Sequence, residues 1–163
     1  MSWTAIMPIK PWDGAKSRLH DDAGARRALA RAFAQDALDA VLGCSVVGRV
    51  VVVTTGDEVS EHARTVGAFA LPESADPGAD PLGAAVRDGT AWSHERHPDE
   101  PVAVIPADLP SLTSDALAAL LVAATAHPLA FVPDANGDGT TILTSLRPEL
   151  LESGYGPGSA DRH

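Results

Sequence analysis

The chain has 163 residues, of which 45% are hydrophobic, and these values are typical of one ordinary globular domain. Its formal net charge of −10 argues against a nucleic-acid surface. The N-terminus lacks the basic start and apolar run of a secretory signal. The least polar stretch, Ala116 to Ala126, is far shorter than the roughly 20 residues of a membrane span. We therefore expect a cytoplasmic protein.

Short buried runs, typical of strands, alternate along the chain with apolar residues at helical spacing. The predicted strands are Ala5–Ile9, Val50–Thr54, Ala68–Leu71, Val102–Ile105, Leu129–Val132 and Thr140–Leu143. The predicted helices run from a cap at Asp21 or Asp22 to Leu42, over Asp57–Val66, over Gly83–Trp92, and from a cap at Thr113 to Thr125. This order predicts an α/β three-layer sandwich with a mostly parallel sheet. In such sheets, ligands bind beyond the carboxyl ends of the strands.

The loop after the first predicted strand holds both lysines of the chain, Lys10 and Lys16. Gly14 permits a tight turn, and the following residues can open a helix whose N–H groups face an anion. Together with Ser17 and Arg18, the lysines predict a site for the phosphates of a nucleoside triphosphate. The spacing is not that of a Walker A loop. Solvated surface cations are the alternative interpretation.

Asp108 follows the strand predicted at Val102–Ile105 and lies between Pro106 and Pro110. At the end of a parallel strand, a carboxylate can bind a Mg²⁺ ion that bridges phosphate oxygens. A turn or cap residue explains the same motif equally well.

Two Gly-rich segments follow, at Asn136–Thr141 and Gly154–His163. The first indicates either a hairpin turn or a loop that offers backbone N–H groups and the Thr140 hydroxyl to a phosphate. The second indicates either a frayed terminus or an anion-binding loop built from Gly156 and Ser159, with Arg162 as a further candidate.

Taken in order, these motifs resemble the CofC/FbiD family, the 2-phospho-L-lactate or phosphoenolpyruvate guanylyltransferases of coenzyme F-420 biosynthesis. The matching segments are Pro8–Lys10 with Ala15–Leu19, Pro106–Pro110, Gly137–Thr141, and Gly156–Ser159 with His163. The resemblance implies a Rossmann-like, MobA-like nucleotidyltransferase fold. It also implies transfer of GMP from GTP to phosphoenolpyruvate or 2-phospho-L-lactate, with Mg²⁺ as cofactor and pyrophosphate as product. The implied partners are these small molecules, and a homodimer is left open.

The resemblance implies a role for each matching residue. Asp108 would bind the metal, and Lys16 and Arg18 would act with it in catalysis. The implied nucleotide-binding residues are Lys10, Lys16, Ser17 and Arg18. The implied acid-binding residues are Thr140, Gly156 and Ser159.

The chain departs from the family pattern at two places. Gly83 stands in Leu82–Ala85, where family members usually carry asparagine in a Leu-Asn-x-Ala pattern. Residues 1–163 are expected to form a single nucleotidyltransferase domain that lacks the Asp-x-Asp-Thr-Pro-like segment with which family members continue. Two alternatives are another small-molecule nucleotidyltransferase, of the molybdenum-cofactor guanylyltransferase type, and a non-catalytic nucleotide-binding relative.

Overall fold

A computed structural model describes residues 1–12, 22–74 and 80–151. Within these ranges, six strands form one sheet: β1 (Trp3–Pro8), β2 (Val47–Thr54), β3 (Phe69–Pro72), β4 (Val102–Val104), β5 (Leu129–Pro133) and β6 (Thr140–Ser145). The strand order is β3-β2-β1-β4-β6-β5. Strands β1 to β4 pair in parallel, whereas β6 runs antiparallel to both β4 and β5. The predicted mostly parallel sheet is confirmed.

Four helices connect the strands, and capping side chains define most of their starts. The helices are α1 (Ala23–Leu42), α2 (Asp57–Thr65), α3 (Pro81–Arg96) and α4 (Ser114–Ala124). The predicted caps are confirmed at Asp22, which accepts from the Gly24 N–H at 3.0 Å, and at Thr113, which accepts from the Ala116 N–H at 3.2 Å. None of the helices in the described ranges is long and apolar enough to cross a membrane.

Helix α3 begins two residues before the predicted start and ends four residues after the predicted end. Its start is set by Asp80, whose carboxylate accepts from the Gly83 N–H at 2.9 Å, with Pro81 at the first helical position. Proline suits that position because its missing N–H would have no partner inside the helix. The carboxylate cap therefore places Leu82 in the first turn of α3.

Alternate residues of the central strands point to opposite faces of the sheet, and each face buries its own apolar cluster. Strand β2 shows this directly, because Val50 and Val52 belong to the first core cluster whereas Val51 and Val53 belong to the second. Helices α1, α2 and α4 cover the first core cluster, and α3 covers the second. Burial on both faces explains why the strand is a run of valines without polar alternation.

We predict that Thr113→Ala lowers the free energy of unfolding by about 1 kcal/mol, because the Ala116 N–H at the start of α4 loses its acceptor. Thr113→Ser keeps the hydroxyl and is expected to remain near the wild type. Urea denaturation followed by circular dichroism measures both. Equal midpoints for wild type and Thr113→Ala would contradict the capping role.

Candidate active site

Polar side chains gather at the edge of the sheet where the parallel strands end, called here the carboxyl edge. Lys10 follows β1, Glu73 follows β3, and Asp108 follows β4. Strand β6 is antiparallel to β4, with Leu143 opposite Val104, so the first residue of β6 reaches the same edge. The register therefore brings Thr140 towards Asp108, although the two residues are far apart in sequence.

A cleft of about 310 Å³ opens at the carboxyl edge, between the ends of β1 and β4, the start of β6 and the first turn of α3. It is lined by Pro8, Leu82, Val104, Pro106, Asp108, Leu109, Thr140 and Thr141. Asp108 and Thr140, which the sequence indicates through separate motifs, thus line the same cleft. A gap beyond the carboxyl ends of two neighbouring strands with diverging connections is where α/β sheets bind ligands.

A second cleft, of about 220 Å³, lies between α4 and the β5–β6 hairpin. Among the described residues, its lining is apolar apart from His127 and Thr144 and contains no carboxylate. Of these two clefts, the described residues give only the one at the carboxyl edge a carboxylate that could bind a metal ion.

Asp108 carries the carboxylate of the cleft, and its side chain is exposed at the end of β4. The described ranges contain no group of three side chains that could enclose a metal ion. Mg²⁺ in phosphoryl-transfer sites needs only one or two carboxylates, because substrate phosphates and waters complete its shell. A single exposed carboxylate beside threonine hydroxyls fits that mode of binding.

Most of the predicted triphosphate site lies in residues 13–21, and the described residues on either side of this segment are Trp12 and Asp22. Lys16, Ser17 and Arg18 lie outside the described residues, as do Gly156 and Ser159. Before this segment, Trp12 is only 6% exposed and packs in the first core cluster. The Arg31 guanidinium lies 5.0 Å from the centre of the Trp12 ring, within cation–π range. After residues 13–21, the Asp22 carboxylate caps the start of α1.

Sequence reasoning missed a second cluster of polar side chains at the carboxyl edge. Its members are Lys10 after β1, Glu73 after β3 and Asp88 in α3. Burial raises the pKa of Glu73, the Asp88 carboxylate raises it further, and the Lys10 ammonium opposes both. Ser74 donates to Asp88 from its backbone N–H at 2.7 Å and from its hydroxyl at 2.6 Å. Asp88 lies inside a helical segment, where a sequence pattern cannot distinguish it from a solvated carboxylate.

The β5–β6 turn is a hairpin whose N–H groups are already bonded. The Asp134 carboxylate accepts from the N–H of Asn136 at 3.0 Å and from the N–H of Asp138 at 3.1 Å. Gly137 has a φ of +77°, a conformation that favours glycine in a tight turn. The hairpin interpretation is thus confirmed, and these two N–H groups face Asp134 instead of an outside phosphate.

Gly83 is buried, and the Asp80 carboxylate occupies the place of its missing side chain. A Cβ atom on Gly83 would collide with that carboxylate and lie 3.2 Å from the Arg87 Nη1 atom. The helix cap therefore fills the position at which the resembled family usually carries asparagine.

A comparison with protein families matches residues 14–156 to the MobA-like NTP transferase domain. A phosphoenolpyruvate guanylyltransferase of Streptomyces scabiei is 45% identical over 168 residues, covering 100% of this chain and 77% of that relative. A phosphoenolpyruvate guanylyltransferase of Thermomonospora curvata is 37% identical, covering 100% of this chain and 71% of the relative. The chain therefore belongs to the phosphoenolpyruvate guanylyltransferase family within the MobA-like NTP transferases. The resemblance drawn from the four motifs is confirmed.

Solved structures support the same fold. A protein from Desulfovibrio desulfuricans, described as a nucleotide-diphospho-sugar transferase, has a TM-score of 0.72 at 16% identity. The match covers 93% of this chain and 66% of that one, so the chain spans about two thirds of that neighbour's length. A Mycobacterium tuberculosis protein solved in complex with manganese has a TM-score of 0.55 at 14% identity, covering 89% of this chain and 71% of that one.

We predict that the stabilising effect of the Asp134 network depends on pH. Hydrogen bonds, first of all from the Gly139 N–H, lower the pKa of Asp134. The stability it contributes is therefore present above the pKa of an unfolded aspartate, about 3.9, and is lost as pH falls through the lower folded-state pKa. The difference in unfolding free energy between wild type and Asp134→Asn should be constant from about pH 5 to 8 and shrink at more acidic pH. A difference that does not change on acidification would contradict this.

Proposed function

We propose that this chain transfers GMP from GTP to a phosphorylated three-carbon acid, phosphoenolpyruvate or 2-phospho-L-lactate, and releases pyrophosphate. The observation that carries the proposal is the common cleft of Asp108 and Thr140 at the carboxyl edge. Family membership supports nucleotidyl transfer, and the names of the similar proteins support a guanylyl donor and phosphoenolpyruvate as acceptor.

In the proposed reaction, a phosphate oxygen of the acid attacks the α-phosphorus of GTP. A new P–O bond forms while the bond from the α-phosphorus to the oxygen bridging it to the β-phosphate breaks, and pyrophosphate leaves with that electron pair. The protein's task is positioning and charge stabilisation, because no covalent intermediate is needed. We assign the triphosphate to Lys10, Lys16, Ser17 and Arg18, and the acid to Thr140, Gly156 and Ser159.

We assign Asp108 as the side chain that would hold Mg²⁺. When bound, the ion would neutralise negative charge on phosphate oxygens. Asp108 would hold the ion from the loop that follows β4, four residues after Val104, the last residue of the strand. β4 itself is fully buried and paired on both sides, so the start of this loop is fixed by the sheet.

Pyrophosphate release is the direct test of this function. We expect release from GTP with phosphoenolpyruvate or 2-phospho-L-lactate, and loss of release when Mg²⁺ is removed by chelation. ATP and CTP serve as alternative donors, and 3-phosphoglycerate as an alternative acceptor. A chain that turns over none of these acids with GTP would contradict the proposal.

Asp108→Asn should lower kcat by about 10²-fold or more, because the amide keeps the shape but removes the charge that binds the ion. Stability should stay near wild type, since the side chain is exposed. Asp99→Asn is the matched control, because Asp99 is also an exposed loop aspartate but precedes β4. Wild-type turnover by Asp108→Asn would remove the metal assignment.

A further inference from the structure

Most of the described lining of the cleft is apolar, although every expected substrate is strongly charged. Five of the eight described residues that line it are apolar, and they come from β1, β4, the loop after β4 and the first turn of α3. The polar members among the described residues are Asp108, Thr140 and Thr141. The cleft therefore offers both polar and apolar contacts, and a ligand that uses both has a charged group and an apolar group.

Leu82 is the most informative apolar residue of the lining. It is 37% exposed and thus belongs to the few large apolar side chains that the described part of the chain leaves in solvent. The others in that group are Met1, Leu29, Phe69, Val122 and Leu129, and none of them lines this cleft. Leu82 is partly exposed and lines the same cleft as Asp108, so its apolar surface is available for contact with a ligand.

The position of Leu82 is fixed by its surroundings. The Asp80 carboxylate caps α3 one turn away, and Pro81 restricts the backbone immediately before Leu82. Val104, which is buried, lines the same cleft from β4. Leu82 is therefore presented by a rigid helix start, as a specificity-determining side chain requires.

We propose that Leu82 determines acceptor specificity by packing against the third carbon of the acid, and thereby selects acids whose third carbon carries no hydroxyl. This inference rests on the proposed function. Phosphoenolpyruvate and 2-phospho-L-lactate both have an apolar third carbon beside a phosphate and a carboxylate. An acid with a hydroxymethyl group would bury its hydroxyl against Leu82 without a hydrogen-bond partner.

The size of the effect follows from the chemistry of apolar pockets. Such a pocket rejects a ligand that only adds a hydroxyl by about 10²-fold in kcat/KM. The sharpest pair of probes is 2-phospho-L-lactate and 2-phospho-L-glycerate, which differ by one hydroxyl at the same configuration. Phosphoenolpyruvate is the third probe. Its third carbon also lacks a hydroxyl but its second carbon is planar, so it separates the effect of planarity from that of the hydroxyl.

The test compares Leu82→Asn with two controls in the full chain. Leu82→Met keeps an apolar side chain at the same place. Leu29→Asn makes the same exchange at a helical leucine of nearly equal exposure, 38%, that is not among the described residues lining the cleft. We expect Leu82→Asn to lower the ratio of kcat/KM for 2-phospho-L-lactate over 2-phospho-L-glycerate by about 10-fold or more. Both controls should keep the wild-type ratio, and the KM for GTP should be unchanged in all variants.

Three results would overturn the inference in distinguishable ways. An unchanged ratio in an active Leu82→Asn variant removes the role of Leu82 and leaves the proposed function standing. If Leu82→Asn raises the KM for GTP and leaves the ratio of the two acids unchanged, Leu82 contacts the nucleotide and not the acid. Absence of turnover by the wild type with every acid contradicts the proposed function, and the inference fails with it.

Discussion

The pairing of β1 with β2 on one side and β4 on the other is the constraint on which the site depends. The connections that leave β1 and β4 diverge, because α1 leads from β1 to β2 on one side, whereas α4 leads from β4 to β5 on the other. Both helices pack on the first core cluster, and α3, which leads into β4, packs on the second. The cleft opens at the carboxyl ends of the two strands from which the chain diverges.

The antiparallel strand β6 supplies the second half of the site. Because β6 lies between β4 and β5 and runs against both, its beginning lies where β4 ends. A parallel strand in that position would bring Ser145 to the carboxyl edge in place of Thr140. In the β5–β6 turn, the Asp134 carboxylate accepts hydrogen bonds from the N–H groups of the turn itself. The residues of this hairpin that line the cleft are Thr140 and Thr141.

Sequence patterns predicted the helices and strands well wherever burial or a local capping residue determines them. The valines of β2 and the caps at Asp22 and Thr113 are local signals, and the structure bears them out. The early start of α3 was missed because the capping carboxylate of Asp80 precedes a proline within a loop-like composition. Asp108 and Thr140 line the same cleft because of the order and direction of the strands, and hydrophobic periodicity in the sequence does not reveal either. The contribution of Leu82 to the cleft was missed for the same reason, because it arises only where β1, β4 and α3 come together.

The charge of the chain bears on the proposed triphosphate site, most of which lies in the sequence between Trp12 and Asp22. The chain carries a net charge of −10, and Asp108 adds negative charge to the cleft itself. Lys10 is partly engaged with Glu73, whose pKa it lowers against the effects of burial and Asp88. Salt screens exposed charges beyond about 8 Å at physiological ionic strength, so cations next to the phosphates outweigh the distant negative charge. An acidic protein can thus hold a triphosphate if a few cations lie within that distance, and the proposed site assigns this task to Lys10, Lys16 and Arg18.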